Sequence, residues 1–243
     1  MILNETQDFE HLAFKQRETY ISTINHDLKI PALAQIRALE LLINEKLGGL
    51  NEEQKEIIKL TLDSCRSMYE MLSVILSSYK FENGDIKLDF EIIELSKIFE
   101  ECFSNFPKHM KEKHLKIQIE SNNRLTSIFA DRHLLAKAFK YIAENCFSNA
   151  EEYSQVKCET QNNGEKITVS VTFKNPYIRK EILEDMFNLY AASSLKFDTV
   201  GSSIKLYLAK QIIHAHKGTI FVEKDGAFNT YKIELPILYP ELS

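Results

Sequence analysis

Apolar residues return every three to four positions from Glu5 to Leu47, a stretch with one proline (Pro31) and no glycine. That spacing predicts one long helix, closed by Gly48-Gly49. Asn51 then offers an N-cap, with Glu52 and Glu53 placed well against the dipole of a second helix. Ile58, Cys65, Met68, Leu72, Ile75 and Tyr79 form a seam of coiled-coil spacing that ends near Asn83-Gly84. A hairpin of two such helices cannot cover its own apolar stripes. It is expected to pair with a second copy as a dimeric four-helix bundle; the competing reading packs it against its own C-terminal half.

After Gly84 the period changes from helical to alternating. Ile86-Lys87-Leu88-Asp89-Phe90, Leu115-Lys116-Ile117-Gln118-Ile119 and Ile167-Thr168-Val169-Ser170-Val171 read as strands. Asn163-Gly164 predicts a hairpin joining the last of them to Val156-Lys157-Cys158. Helical stretches lie at about 94–113, 131–150, 179–189 and 204–216. Helices mixed with an antiparallel-looking sheet indicate an α/β sandwich. The fold class is therefore α+β, with a helical hairpin over 1–84 and a sandwich over 85–243.

Charge and composition remove several functions. A net charge of -5 argues against nucleic acid as a partner. No apolar run approaches the ~18 residues of a membrane span, so no membrane insertion is expected. Met1-Ile2-Leu3-Asn4-Glu5 lacks the features of a secretory signal, and the chain reads as cytoplasmic. Cys65, Cys102, Cys146 and Cys158 show no CxxC spacing. Cys65 and Cys146 fall in apolar helical patterns, which favours buried thiols over a metal or disulfide framework. Glycine is scarce: 7 residues are present, where average usage predicts ~17. A fold that cradles phosphates on bare backbone should not lack glycine.

The chemical centre of the first helix is Ile24-Asn25-His26-Asp27-Leu28-Lys29-Ile30-Pro31. Ile21, Ile24 and Leu28 share a stripe, and His26 points roughly 165° from its middle. A core histidine would not face that way, although an exposed histidine without a role would. A neutral imidazole is a good nucleophile near pH 7, and Asp27 is placed to orient it and take its proton. Pro31 removes a helix hydrogen bond one turn on and predicts a local bend. Ile30 shares the exposed face with His26, as a docking surface for a protein would require.

His26-Asp27-Leu28-Lys29-Ile30-Pro31 resembles the phosphoacceptor box of the sensor histidine kinase family: histidine, acid, apolar residue, base, Thr or Asn, proline. Phe81-Glu82-Asn83-Gly84-Asp85-Ile86-Lys87-Leu88 is similar to the family's hinge into its ATP-binding domain. Asp131 to Tyr153 resembles its Asn-box helix, and His214-Ala215-His216-Lys217-Gly218-Thr219-Ile220 a later helix-to-strand junction. The resemblance spans nearly the whole chain. It implies a homodimer, response-regulator receiver domains as partners, and phosphate carried on His26.

The resemblance also implies an ATP site, and its motifs survive unevenly. Asn145 and Asn149 keep both asparagines of the Asn box, which in the family reach the triphosphate and its magnesium ion, with Asn149 the implied magnesium ligand. They could equally be helix scaffolding. Glu152 replaces the basic residue expected nearby, a charge reversal. In Phe173-Lys174-Asn175-Pro176-Tyr177-Ile178, Phe173 stands where the family has the aspartate that accepts from the adenine amino group. Asn175 and Tyr177 replace two glycines, and Tyr177 adds bulk. In Gly201-Ser202-Ser203-Ile204-Lys205-Leu206, Ser203 and Lys205 replace two more, although Lys205 offers a positive charge for phosphate. Ile30 stands where the family's Thr or Asn orients a hydrolytic water, so loss of that phosphatase activity is expected.

Three readings follow. In the first, His26 exchanges phosphate with response-regulator aspartates and no cofactor is needed; some phosphotransferases look like kinases with a decayed ATP domain, and this sequence resembles them. In the second, the chain is an ATP-dependent kinase using Mg-ATP through divergent glycine boxes. In the third, it is a pseudokinase scaffold, against which the retained His26 argues.

Overall fold

A computed structural model describes residues 23–24, 26–104, 106–121, 127–188 and 202–237. The predicted helix start at Glu5, together with Ile21, Asn25 and Gly201, lies outside the described residues. The chain divides into two compact units after Tyr79.

In the first unit, helix α1 covers 26–43 and α2 runs Glu52–Glu82. They are antiparallel. Arg66 Nη2 donates to Glu40 Oε1 at 2.6 Å, Cys65 Sγ lies 3.7 Å from Gln35 Oε1, and the Lys29 ammonium sits 5.8 Å from the Tyr69 ring centre. Ala32, Ile36 and Leu62 are buried. The predicted seam of α2 is only half-covered within one chain: Cys65 is half-buried rather than buried, and Met68 is exposed. One partner helix reaches Leu62 but leaves the flanks of that stripe open.

The chain leaves α1 earlier than its glycine pair predicts. The Lys46 N–H donates to Leu41 O at 3.0 Å and the Glu45 N–H to Leu42 O at 2.9 Å, with Glu45 in the left-handed region at φ 55°. This Schellman closure satisfies the last carbonyls on a non-glycine residue. The Glu45 carboxylate is held below its usual range by hydrogen bonding to Lys55, 3.1 Å away. Asn51 caps α2 as predicted: Gln54 N–H donates to Asn51 Oδ1 at 2.8 Å, and Asn51 N–H to Gln54 Oε1 at 3.0 Å. Gly84, at φ 72°, closes α2 by the same device.

The second unit holds two sheets. β1 (Glu91–Glu94) pairs antiparallel with β3 (Ser127–Ala130). The larger sheet has the order β2-β4-β5-β7-β6, built from Lys116–Ser121, Gln155–Asn162, Lys166–Lys174, Phe228–Pro236 and Thr219–Asp225. It is mixed rather than wholly antiparallel. β2 pairs parallel with β4, which is possible because β3 and a long helix form the crossover between them. Among the described residues the unit also has five helices: α3 (Leu95–Ser104), α4 (Pro107–Glu112), α5 (Arg132–Asn149), α6 (Lys180–Asp185) and α7 (Ser202–Ala215).

Three predicted elements change. Ile86 to Phe90 is not a strand, since Asp89 N–H donates to the side chain of Asp131 and Phe90 stacks on Phe129; β1 begins one residue later. The helix expected at 94–113 is two helices, with Pro107 opening the second where its missing N–H costs nothing. α6 is shorter than predicted.

Alternation along the strands sets the layers. Ile167, Val169, Val171 and Phe173 of β5 and Asn229, Tyr231, Ile233 and Leu235 of β7 are buried beneath α3, α5 and α7. The opposite face carries ion pairs, among them Lys157 with Glu120 and Glu159, and Lys166 with Glu234. At Gly218 a Cβ would stand 2.6 Å from Glu234 O, so only glycine lets α7 turn into β6 beside β7.

Asp131 anchors the start of α5. Its Oδ1 accepts from Leu134 N–H (2.9 Å) and its Oδ2 from Asp89 N–H (3.0 Å). Its own N–H donates to Nε2 of buried His216 at 3.0 Å. The other ring nitrogen, Nδ1, must then carry the proton and donate to Ile212 O at 2.8 Å. Burial pushes His216 below the usual histidine range.

Candidate functional site

His26 lies on α1 with its side chain 73% exposed, beside Asp27 at 68%. Its Nδ1 is 3.3 Å from Asp27 Oδ1. Imidazole held at Nδ1 by a carboxylate presents Nε2 as the nucleophile. α1 runs unbroken across Pro31, which has no N–H to donate to Asp27 O. Ile30 is exposed, as expected. Ile24 and Leu28, expected on the covered stripe, are exposed as well; the covered positions are Ala32 and Ile36. A single hairpin leaves that stripe for something else to cover.

The second candidate site lies at the end of α5. Asn145 is buried and Asn149 half-buried, and the i, i+4 spacing brings them together: Asn149 Nδ2 donates to Asn145 O at 2.9 Å and to Asn145 Oδ1 at 3.2 Å. Asn175 Nδ2 donates to Asn149 O at 2.6 Å, and Asn229 Nδ2 to Asn175 O at 2.9 Å. These amides tie α5 to the ends of β5 and β7. The C-terminal carbonyls of α5 are also met by Lys113, whose Nζ donates to Ser148 O and Ala150 O.

The residue that sequence reasoning missed is Tyr231. It is fully buried on β7, and its hydroxyl donates to Asn145 Oδ1 at 2.6 Å. Burial pushes the phenol well above its usual range, so it stays a protonated donor. Its ring meets Phe173 edge-on at 5.4 Å and Phe187 at 5.8 Å. The only sequence signal for Tyr231 was an aromatic at an inward position of the alternating run Phe228-Asn229-Thr230-Tyr231. Tyr177 behaves otherwise than its bulk suggests. It is 85% exposed, because Asn175 Oδ1 accepts from its backbone N–H at 3.0 Å and turns the loop outward.

Lys205 is also engaged. Its ammonium bonds Glu144 Oε2 at 3.0 Å and lies 5.5 Å from the Tyr141 ring centre. Glu144 in turn faces Lys140 at 3.6 Å.

Among the described residues, this donor set differs from the one the family resemblance implies for a magnesium nucleotide. Phe173 has no acceptor for an adenine amine. Asn145 Oδ1 already receives two donors. The Lys205 charge is offset by Glu144. Glu152 is exposed nearby in sequence. Among the described residues, no helix is long and apolar enough to cross a membrane.

No family model matches the chain. It is 24% identical over 230 residues to sensor histidine kinase GlrK of Escherichia coli (strain K12), covering 91% of this chain and 46% of GlrK. It is 25% identical over 244 residues to sensor protein VanS of Enterococcus faecium, covering 99% of this chain and 62% of VanS. The chain thus spans about half the length of the curated relatives it matches. Among solved structures, full-length ShkA in complex with AMPPNP superposes at TM-score 0.75 with 17% identity, covering 89% of this chain and 45% of ShkA. Histidine kinase ThkA in complex with response regulator protein TrrA superposes at 0.62 with 18% identity, covering 94% and 66%.

Proposed function

We propose that the protein is a phosphotransfer relay of the sensor histidine kinase type, whose phosphate, on His26, comes from a receiver-domain aspartate rather than from ATP. One contrast carries this reading: the His26–Asp27 pair is open to solvent, whereas the asparagine site is bonded to its own domain. Nε2 of His26 attacks the phosphorus of an aspartyl phosphate, and the P–O bond to the aspartate breaks as its carboxylate leaves. Asp27 takes the Nδ1 proton as charge builds on the ring. The reverse step loads a second receiver domain. The solved complex of ThkA with a response regulator supports such a partner, and exposed Ile30 supplies an apolar contact beside the nucleophile.

Pairing with a second copy through the hairpin belongs to the same reading, since Ile24, Leu28, Ile57, Leu60 and Met68 are exposed apolar residues of this unit. So does a cytoplasmic place of action.

The test is direct. The full chain is mixed with a receiver domain carrying labelled phospho-aspartate. Acid-labile label on the wild type and none on His26→Gln is expected, and no transfer to the wild type would sink the relay. The retained Asn145 and Asn149, and the AMPPNP bound by ShkA, favour the second reading, an ATP-dependent kinase. That reading predicts stoichiometric labelling of His26 from Mg-ATP alone.

A further inference from the structure

We infer that Tyr231 and Phe173 close the asparagine site from within, so that the second unit holds its fold without nucleotide and traffic through His26 is indifferent to ATP and ADP. The second half of this inference rests on the relay reading; the first does not.

The closure is built from three aromatic rings in the core. Phe173 and Tyr231 sit at diagonal inward positions of paired strands, with Phe173 opposite Asn229 in the register and Tyr231 opposite Val171. Neither ring is exposed, and Phe187 closes the third side. Among the described residues, aromatic packing of this kind leaves no slot between these rings for a flat base without moving a side chain off its rotamer or opening the sheet.

The polar groups tell the same story. Asn145 would have to break its bond to the Tyr231 hydroxyl to meet a ligand, stranding a buried phenol. Asn149 would have to leave Asn145, and with it the chain of amides that continues through Asn175 to Asn229. Lys205 would have to abandon Glu144. Asn145 Oδ1, Asn149 Nδ2 and the Lys205 ammonium each have a partner from the chain itself. The hydroxyl of Tyr231 stands in for a ligand atom, and the surrounding rings stand in for the base.

Thermal melts of the full chain with and without millimolar Mg-ATP, Mg-ADP and Mg-AMPPNP test the closure. The wild-type midpoint is expected not to move with any of the three; a reproducible rise with any of them overturns the inference. Tyr231→Phe keeps the packing and removes one hydroxyl, and a fall in midpoint of about 2–4 °C is expected. An unchanged midpoint would remove Tyr231 from the closure. Transfer from a phosphorylated receiver domain to His26 should run at the same rate with and without Mg-ADP, and a tenfold change would refute the indifference. Absence of any transfer would instead defeat the relay reading and leave the melts to decide the closure.

Discussion

His26 and Asn145 are both polar side chains on long helices, and they live in opposite environments. His26 is solvated on nearly every side and has one neighbour of consequence, Asp27 at 3.3 Å. Asn145 is buried and bonded to Tyr231 and Asn149. The first can change partners in every encounter, because water holds its place in between. The second cannot, because each exchange would leave a buried group unmatched at a cost of about 1–3 kcal/mol. Two motifs with equal standing in the sequence thus carry unequal chemical freedom.

The sharpest way to break that contrast is at the open site. Asp27→Asn keeps the shape and removes the proton acceptor, so transfer to His26 should slow by about 100-fold. A rate equal to the wild type in a rapid-quench assay would show that Asp27 is a bystander.

The next effect concerns the closed unit and pH. His216 is neutral in the fold, with its pKa lowered chiefly by burial, partly offset by hydrogen bonding to Ile212 and the nearby Asp131 carboxylate. In the unfolded chain it titrates near 6.5. Below that pH the unfolded state binds the extra proton first, so stability is full above about 6.5 and declines as pH falls toward the lower folded value. The slope is at most about 1.4 kcal/mol per pH unit for one proton. Urea melts between pH 7 and 5 should steepen with this group and flatten in His216→Gln; identical slopes in the two proteins would contradict it.

The smallest effect tests whether the hairpin unit has a stability of its own. Asn51→Ala removes the cap of α2 and should cost about 1 kcal/mol. Hydrogen exchange is the measurement, with faster exchange expected along α2 and none in β5 or β7; uniform acceleration would mean that the two units unfold together.

Much of this was legible along the chain because it is local. The Asn51 cap, the Asn163-Gly164 hairpin, the stop at Gly84 and the alternation of β5 each depend on a few neighbouring residues. The inward place of Phe173 was legible too, from the same alternation. What escaped notice depends on contacts between distant segments. Tyr231 reaches Asn145 across 86 residues, and nothing in its own alternation distinguishes it from an ordinary core aromatic. Lys205 read as a free charge because its partner Glu144 is 61 positions away. Tyr177 is the reverse case: a side-chain turn at Asn175, two residues back, points the ring to solvent. The exposed Ile24 and Leu28 show the limit of periodicity, which identifies a stripe but not whether one chain can cover it.

The Asp131 anchor has a consequence for the order of assembly. One carboxylate and one amide there join a segment 42 residues earlier to a histidine 85 residues later. As the chain emerges during synthesis, α5 can form its first turn on Asp131 alone, but the anchor stays half-made until His216 has left the ribosome. Contacts of such long sequence separation are slow to close because the loop entropy is lost before they repay it. A nascent chain stopped short of α7 would therefore carry α5 with a loose start and an uncovered aromatic face, which is the form a protease or chaperone would meet first.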